Sequence, residues 1–238
     1  MKLVIDIGNT RTKLALFEGK DLFSESNIDE CSLTIVQDFV ANQVISAAII
    51  SSVKKDDSEL LSISDYYNGL ILCEETPIPI KNQYKHPHTL GNDRLAAVVG
   101  AYFLFPKKNV LVFDAGTCLT IDFITEKGEY IGGRVSPGIE MRYKALHTFT
   151  DRLPLLQKEK TPSIIGDDTN SCIVSGVQRG ILDEVRSVIF DCRSQKNDTI
   201  AVVTGGDCFF FEKELKNSIF ANPNLVMIGL NEILDFNE

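Results

Sequence analysis

Two stretches of this chain have the residue types and spacing that phosphoryl chemistry uses. The first is Asp6-Ile7-Gly8-Asn9-Thr10, with Lys13 just beyond it. At Gly8 the backbone can come close to an anion with no side chain in the way. The N–H groups of a Gly8-Asn9-Thr10 turn and the Thr10 hydroxyl can donate to phosphate oxygens. Lys13 adds a point charge. Asp6 can hold Mg²⁺ through water, because that ion keeps most of its hydration shell. An ordinary hairpin with a polar turn would carry several of the same residues, so this stretch alone does not decide between the two.

The second stretch is Gly91-Asn92-Asp93-Arg94, which opens a helical pattern of Leu95, Val98, Val99, Tyr102 and Phe103. Asp93 suits the positive end of a helix dipole and could be a plain surface charge. Arg94 gains nothing from the dipole at that end, so binding a carboxylate or phosphate accounts for its place better. Asp93 beside it is a reasonable general base for a hydroxyl. Phosphoryl transfer asks little more of such a base than orientation and late proton acceptance. Upstream, residues 76–89 carry Pro77, Pro79 and Pro87 and cannot form a regular helix or central strand. Tyr84, His86 and His88 in that segment could lie over a small polar ligand, or the segment could be a solvated connector.

The first design recurs in mid-chain. Val110-Leu111-Val112-Phe113 ends in Asp114, followed by Ala115-Gly116-Thr117 and a second apolar stretch with Leu119, Ile121 and Phe123. A hairpin signal follows each copy, Glu18-Gly19-Lys20 in one and Glu126-Lys127-Gly128-Glu129 in the other. A repeat of a whole strand–turn–strand unit predicts duplicated lobes, and two such turns facing each other would clamp a triphosphate. The P-loop and Rossmann glycine patterns are both missing. Thr204-Gly205-Gly206-Asp207, after the apolar run 200–203, is a third Gly-rich turn that could make room for an adenine or ribose.

These residues need elements to hold them. Residues 3–28 read as a three-stranded meander. Ser32 can cap a helix with Ile35, Val36, Phe39, Val40 and Val44 at helical spacing. Residues 47–53 and 70–73 read as buried strands, with a helix over 56–66 between them. This succession predicts a mixed α/β lobe. The turn at 106–109 divides an N-terminal lobe, residues 1–108, from a C-terminal lobe, residues 109–238. In the second lobe, 131–138 reads as a Gly-rich turn before a helix over 139–147, an end of the kind that favours anions. Residues 150–168 are irregular. Helical spacing resumes over 172–189, with Thr169 able to cap. A helix over 209–215, a strand over 225–228 and a short helix from Gly229 close the chain.

With 238 residues, 44% of them hydrophobic, there is enough chain for one large domain or two modest lobes. A net charge of −9 argues against nucleic acid or an anionic membrane as the main partner. The six cysteines (Cys31, Cys73, Cys118, Cys172, Cys192 and Cys208) form no C-x-x-C pair and read as small buried hydrophobes. Three histidines give little support to a zinc site. Asp6 breaks the first apolar run before it reaches signal-peptide length, and the longest run, 95–105, is short of the roughly 20 residues of a bilayer span. A reduced, cytoplasmic protein is expected.

Together, Asp6-x-Gly-Asn-Thr-x-x-Lys13, Gly91-x-Asp-Arg94, Asp114-x-Gly-Thr117 and Thr204-Gly-Gly206 resemble the motifs of the type III pantothenate kinases. These belong to the superfamily of actin, the seventy-kilodalton chaperones, and acetate and sugar kinases. The resemblance covers nearly the whole chain in the family's order; Gly-x-Asp-Arg with Tyr84 before it is its specific part. It implies an α/β fold of two duplicated ribonuclease-H-like lobes with mixed sheets and a nucleotide cleft between them. It also implies ATP-dependent phosphorylation of pantothenate to 4′-phosphopantothenate, the entry step of coenzyme A synthesis. Carried over by position, Asp6, Gly8, Asn9, Thr10 and Lys13 would form the first phosphate loop, with Mg²⁺ at Asp6. Asp114 would bind a monovalent cation, K⁺ or NH₄⁺. Thr117 would contact ATP, and Gly205 and Gly206 its adenosine. Tyr84, Gly91, Asn92, Asp93 and Arg94 would bind pantothenate, with Asp93 taking the proton of its primary hydroxyl. Thr169 would reach pantothenate across the interface of a homodimer. Cys118 and Cys172 stand where other small residues are usual, and neither puts a role in doubt.

Two other functions share this frame. One is a sugar kinase; the other is a nucleotide-binding regulator without turnover. Asp93 discriminates, since a pure binder has no use for a carboxylate at a substrate hydroxyl.

Overall fold

Two sheets with the same strand order organise the chain. The structure, a computed structural model, describes residues 1–8, 11–52, 58–159 and 163–238. Asn9 and Thr10 of the first turn, Val53, and the first residues of the helix expected from position 56 lie outside the described residues.

The first of two compact units comprises Met1–Lys107, Ile124–Gly132 and Asn224–Glu238. Its strands β1 (Lys2–Ile7), β2 (Thr12–Glu18) and β3 (Asp21–Ile28) form the expected antiparallel meander. Helix α1 (Leu33–Val40) starts at Ser32, whose side chain accepts from the Ile35 N–H, so one orphan donor of the first turn is satisfied. Strand β4 (Ala47–Ser52) runs parallel to β1, and after α2 (Ser58–Tyr67) β5 (Leu70–Ile71) runs parallel to β4. The sheet order is β3-β2-β1-β4-β5. Alternation puts Leu3, Ile5 and Ile7 of β1 on one face, where Val36, Val40 and Ile63 from α1 and α2 join the same core. The segment after β5 holds β6 (Lys81–Asn82), a 3₁₀ turn at Pro87–Thr89, and α3 (Asn92–Leu104).

The second unit comprises Lys108–Phe123 and Gly133–Pro223. Strands β7 (Val110–Ala115), β8 (Cys118–Ile124) and β9 (Glu129–Pro137) come first, then α4 (Ile139–Thr148). Helix α5 (Thr169–Val174) runs through a π-helical turn, Ser175–Arg179, into α6 (Gly180–Gln195). Strand β10 (Ile200–Thr204) is parallel to β7, and after α7 (Cys208–Glu214) β11 (Phe220–Ala221) is parallel to β10. The order β9-β8-β7-β10-β11 repeats that of the first sheet. The duplication inferred from the two Asp-x-Gly motifs is therefore a duplication of whole sheets. Phe113, Leu119, Ile121, Ile181, Leu182 and Phe211 lie in the core of this unit. Strand β6 extends the edge at the start of β9, with Lys81 opposite Glu129 and Asn82 opposite Tyr130.

The last helix, α8 (Leu225–Asn237), returns to the first unit and packs on α3. The two backbones meet at glycines. A Cβ on Gly229 would stand 1.7 Å from the Ala96 carbonyl oxygen, and one on Gly100 would stand 2.4 Å from that of Leu225. A division at 108/109 alone misses this return.

Several expected elements differ. Residues 131–137 belong to strand β9 rather than to a turn. There Gly133 lets β9 lie against β8, where a Cβ would stand 1.8 Å from the Ile121 carbonyl oxygen. Residues 225–228 are helix; an apolar run of that length does not separate a buried strand from a buried helix. The cap of α5 is Asp168, which accepts from the Ser171 N–H, and not Thr169. Cys73 and Cys172 are exposed rather than buried, since one lies past the end of β5 and the other on a short surface helix. Among the described residues no helix is long and apolar enough to cross a membrane.

Candidate active site

Strand β1 delivers Asp6 between Lys13 of β2 and Ser51 of β4 in the strand register. Alternation turns it to the face opposite Ile5 and Ile7. At the strand end the Gly8 N–H donates to the Arg11 carbonyl at 3.0 Å. Asp6 as a residue keeps some exposure, but its Oδ1 is buried and has no hydrogen-bond partner among the described residues; the Ser51 hydroxyl is in the same condition. Burial pushes the Asp6 carboxyl up to about 6, and the charge of Asp93 adds to the rise. The Lys13 ammonium opposes it, as does the Ser51 hydroxyl, which lies nearby without completing a hydrogen bond. A buried carboxylate oxygen without a donor suits a cation or a hydrated cation. Lys13 itself donates to Asn224 Oδ1 and lies 3.9 Å from the Glu25 carboxylate.

Asp93 comes from the first turn of α3. Its Oδ1 accepts from the Arg94 N–H at 2.8 Å. The carboxylate folds back over the N-cap, Gly91, where a Cβ would stand 2.4 Å from Oδ1. That contact explains the Gly-x-Asp spacing. Asn92 ties the helix start to the first sheet, donating from Nδ2 to the Leu72 carbonyl at 2.9 Å. Arg94 is buried, with its guanidinium carbon 5.7 Å from the Tyr84 ring centre. On that ring stacks Tyr130, 6.1 Å away and 4° from parallel. The Tyr84 N–H donates to Asn82 Oδ1 at 2.9 Å, so strand β6 sets the ring's place. Next to this start of α3 is a cavity of about 650 Å³, lined among others by Leu72, Asn82, His88, Gly91 and Asn92.

In the second unit two turns meet. Gly205 adopts a φ of +85°, and a Cβ on it would stand 2.4 Å from Asp114 Oδ1 and 2.5 Å from the Ala115 carbonyl oxygen. The Asp207 N–H donates to that same carbonyl at 2.9 Å. The end of β7 and the Thr204-Gly205-Gly206 turn thus form one structure. Asp114 is partly buried, Thr117 is exposed beside it, and a Cβ on Gly206 would meet open space.

The sequence profile of the type III pantothenate kinase family matches residues 2–191. A protein of that name from Christiangramia forsetii is 44% identical over 244 residues, covering 100% of this chain and 99% of its own. The chain belongs to the type III pantothenate kinase family. Solved structures agree on the fold. A conserved protein of the Baf transcriptional activator family from Campylobacter jejuni superimposes with a TM-score of 0.67 at 22% identity, covering 99% of this chain and 98% of that one. A glucokinase from an Antarctic psychrotroph gives 0.55 at 12% identity, with 99% and 98% covered. Identities this low speak for the fold alone.

In this type III pantothenate kinase the motif residues fall into two groups. Asp6, Gly8, Lys13, Tyr84, Gly91, Asn92, Asp93 and Arg94 lie in the first unit; Asp114, Thr117, Gly205 and Gly206 lie in the second. Thr169, the first residue of α5, is exposed in the second unit. Ser51, Tyr130 and Asn224 carry no motif. Register, stacking and a returning helix bring them to the site, and no local sequence signal marks them.

Proposed function

We infer that the protein transfers the γ-phosphoryl group of ATP to pantothenate, giving 4′-phosphopantothenate and ADP at the entry to coenzyme A biosynthesis. Family membership supplies the substrates. The observation that carries the chemistry is the neighbourhood of Asp6 and Asp93: the charge of one carboxylate raises the pKa of the other. A metal-side carboxylate and a hydroxyl-side base must stand near the same phosphoryl group, and the nearness of these two side chains supports that reading.

Asp93 accepts the proton of the pantothenate hydroxyl as its oxygen bonds to the γ-phosphorus and the bond to the β-phosphate oxygen breaks. Arg94 and Tyr84, held by the stack on Tyr130, bind the small anionic substrate and keep the hydroxyl at Asp93. The Gly8 turn and Lys13 take the phosphates. Mg²⁺ bound beside Asp6 would neutralise phosphate charge, and the donorless Asp6 Oδ1 fits such an ion. Asp114, at the end of β7, is our candidate for a monovalent-cation ligand, and Thr117 with Gly205 and Gly206 for nucleotide contacts. A homodimer is supported by exposed apolar side chains in the second unit, among them Val135, Phe149, Ile164 and Ile165. The last two stand just before Thr169, which would then serve the partner's pantothenate. None of the six cysteines is in a disulfide, which suits a reducing cytoplasm.

The test is ADP release by purified protein with Mg²⁺, with and without pantothenate, in KCl and in matched NaCl. Release that requires both pantothenate and K⁺ is expected. Release on a sugar instead would move the substrate to another class. ATP binding with no release on either would favour a regulator without turnover.

A further inference from the structure

Asn224 stands at the N-cap of α8 and does not cap it. An Asn in this position ordinarily turns its side-chain oxygen onto the N–H of the second or third helical residue. Here the side chain makes no cap bond, and Oδ1 accepts from Lys13 Nζ. A good capping residue has been diverted from a 13-residue helix to an ammonium group. Lysine needs such help: its charge sits on a flexible stem with three rotatable donors, so nothing in the side chain fixes its direction.

The choice of amide over carboxylate has a consequence. Asn and Asp cap helices about equally well, but only the amide orients the ammonium without cancelling its charge. The N-terminus of α8 adds partial positive charge of its own. The Glu25 carboxylate, at 3.9 Å, is the more distant acceptor. The helix is also fixed to the hairpin that carries Lys13. Asn231 Nδ2 donates to the Gly19 carbonyl at 3.1 Å, Lys20 pairs with Glu232, and Lys2 pairs with Asp235. Asn224 and Lys13 are therefore held in register by three further ties from one helix.

We propose that Asn224 is a positioning residue for phosphoryl transfer, holding the Lys13 ammonium ready for the nucleotide phosphates with its charge intact. This rests on the reading of Lys13 as a phosphate ligand. The last helix of the chain then does more than fill the first unit: it aims a residue of the first phosphate loop.

Two variants separate this role from a structural one at the helix start. Asn224→Asp keeps the size but neutralises Lys13. Asn224→Ser leaves a residue equally suited to a helix start but too short to reach Lys13. Each is measured for MgATP affinity by titration calorimetry, for KM of ATP and of pantothenate, and for Tm. Both should weaken MgATP and raise its KM about tenfold, the scale of one charge-assisted contact, with Tm and the pantothenate KM unchanged. Wild-type MgATP affinity in both variants would overturn the proposal and leave Asn224 a structural residue. Should the wild type bind MgATP without turning over pantothenate, the function fails, while the calorimetric comparison still decides the role of Asn224.

Discussion

Asp6 and Asp93 carry the same group in different surroundings, and each surrounding suits the role proposed for it. Asp93 sits partly exposed at a helix start, where a substrate hydroxyl can reach it. Asp93→Asn should lower kcat by about 10²–10⁴-fold, the usual scale of a general base, and leave MgATP affinity near wild type. Full activity in that variant would remove Asp93 from the mechanism. Asp6 is different because its Oδ1 is buried without a donor. Its carboxyl titrates near 6 when folded, against 3.8 in an unstructured chain. The folded protein therefore binds this proton more tightly. As pH rises from about 4 to about 6, the unfolded chain gives it up first and stability falls, by roughly 3 kcal/mol in all. Asp6→Asn should raise the Tm of metal-free protein at pH ~8 and lose that advantage below pH ~4. Thermal melts in a chelator at the two pH values check this, and equal gains at both would assign the effect to something other than ionisation.

At the scale of elements, the contacts of α3 with α8 and of Gln178 with its neighbours make opposite points about local propensity. Ala is the better helix former by about 1 kcal/mol, yet Gly229→Ala would drive a Cβ to 1.7 Å from the Ala96 carbonyl oxygen. Separating two packed helices should outweigh the propensity gain and destabilise the protein by about 1–3 kcal/mol, read from urea unfolding. Gln178 is fully buried in the π-helical turn. Its Oε1 accepts from the Tyr143 hydroxyl and the Glu159 N–H, both at 2.8 Å, and its Nε2 donates to the Glu159 carbonyl at 2.9 Å. These bonds pin part of the irregular segment after α4, and next to them Lys158 pairs with Asp207. Gln178→Leu leaves the Glu159 backbone groups and the Tyr143 hydroxyl without that partner. Tryptic cleavage after Lys158 should become faster than in wild type, while a rate equal to wild type would mean the segment is held by other contacts. Periodicity located α1 and α6 because each has one apolar face. It misassigned the start of α8 because that helix buries Leu225, Met227, Leu230 and Ile233 along with polar Asn231 and Glu232, leaving no polar face to read.

At the scale of the molecule, two sheets of one strand order stand in one chain, and the chain ends by going back to its beginning. The exposed apolar residues of the second unit belong to this scale too. Ile165→Asp should convert the proposed dimer to a monomer in light scattering and cost pantothenate turnover more than MgATP binding. A monomeric wild type would end the assignment of Thr169 to a partner's site.

The sequence by itself determined the two Asp-x-Gly turns, the Gly-x-Asp-Arg helix start and the alternation of helix and strand. Each is local: a few neighbouring residues set the backbone, and their types announce it. The tertiary structure alone decided which side chains without a motif stand beside them. Ser51 reaches Asp6 through parallel register, Tyr130 reaches Tyr84 through the pairing of β6 with β9, and Asn224 reaches Lys13 through a helix some 200 residues away along the chain. Contacts of that separation depend on packing the whole unit, and nothing in the flanking residues encodes them.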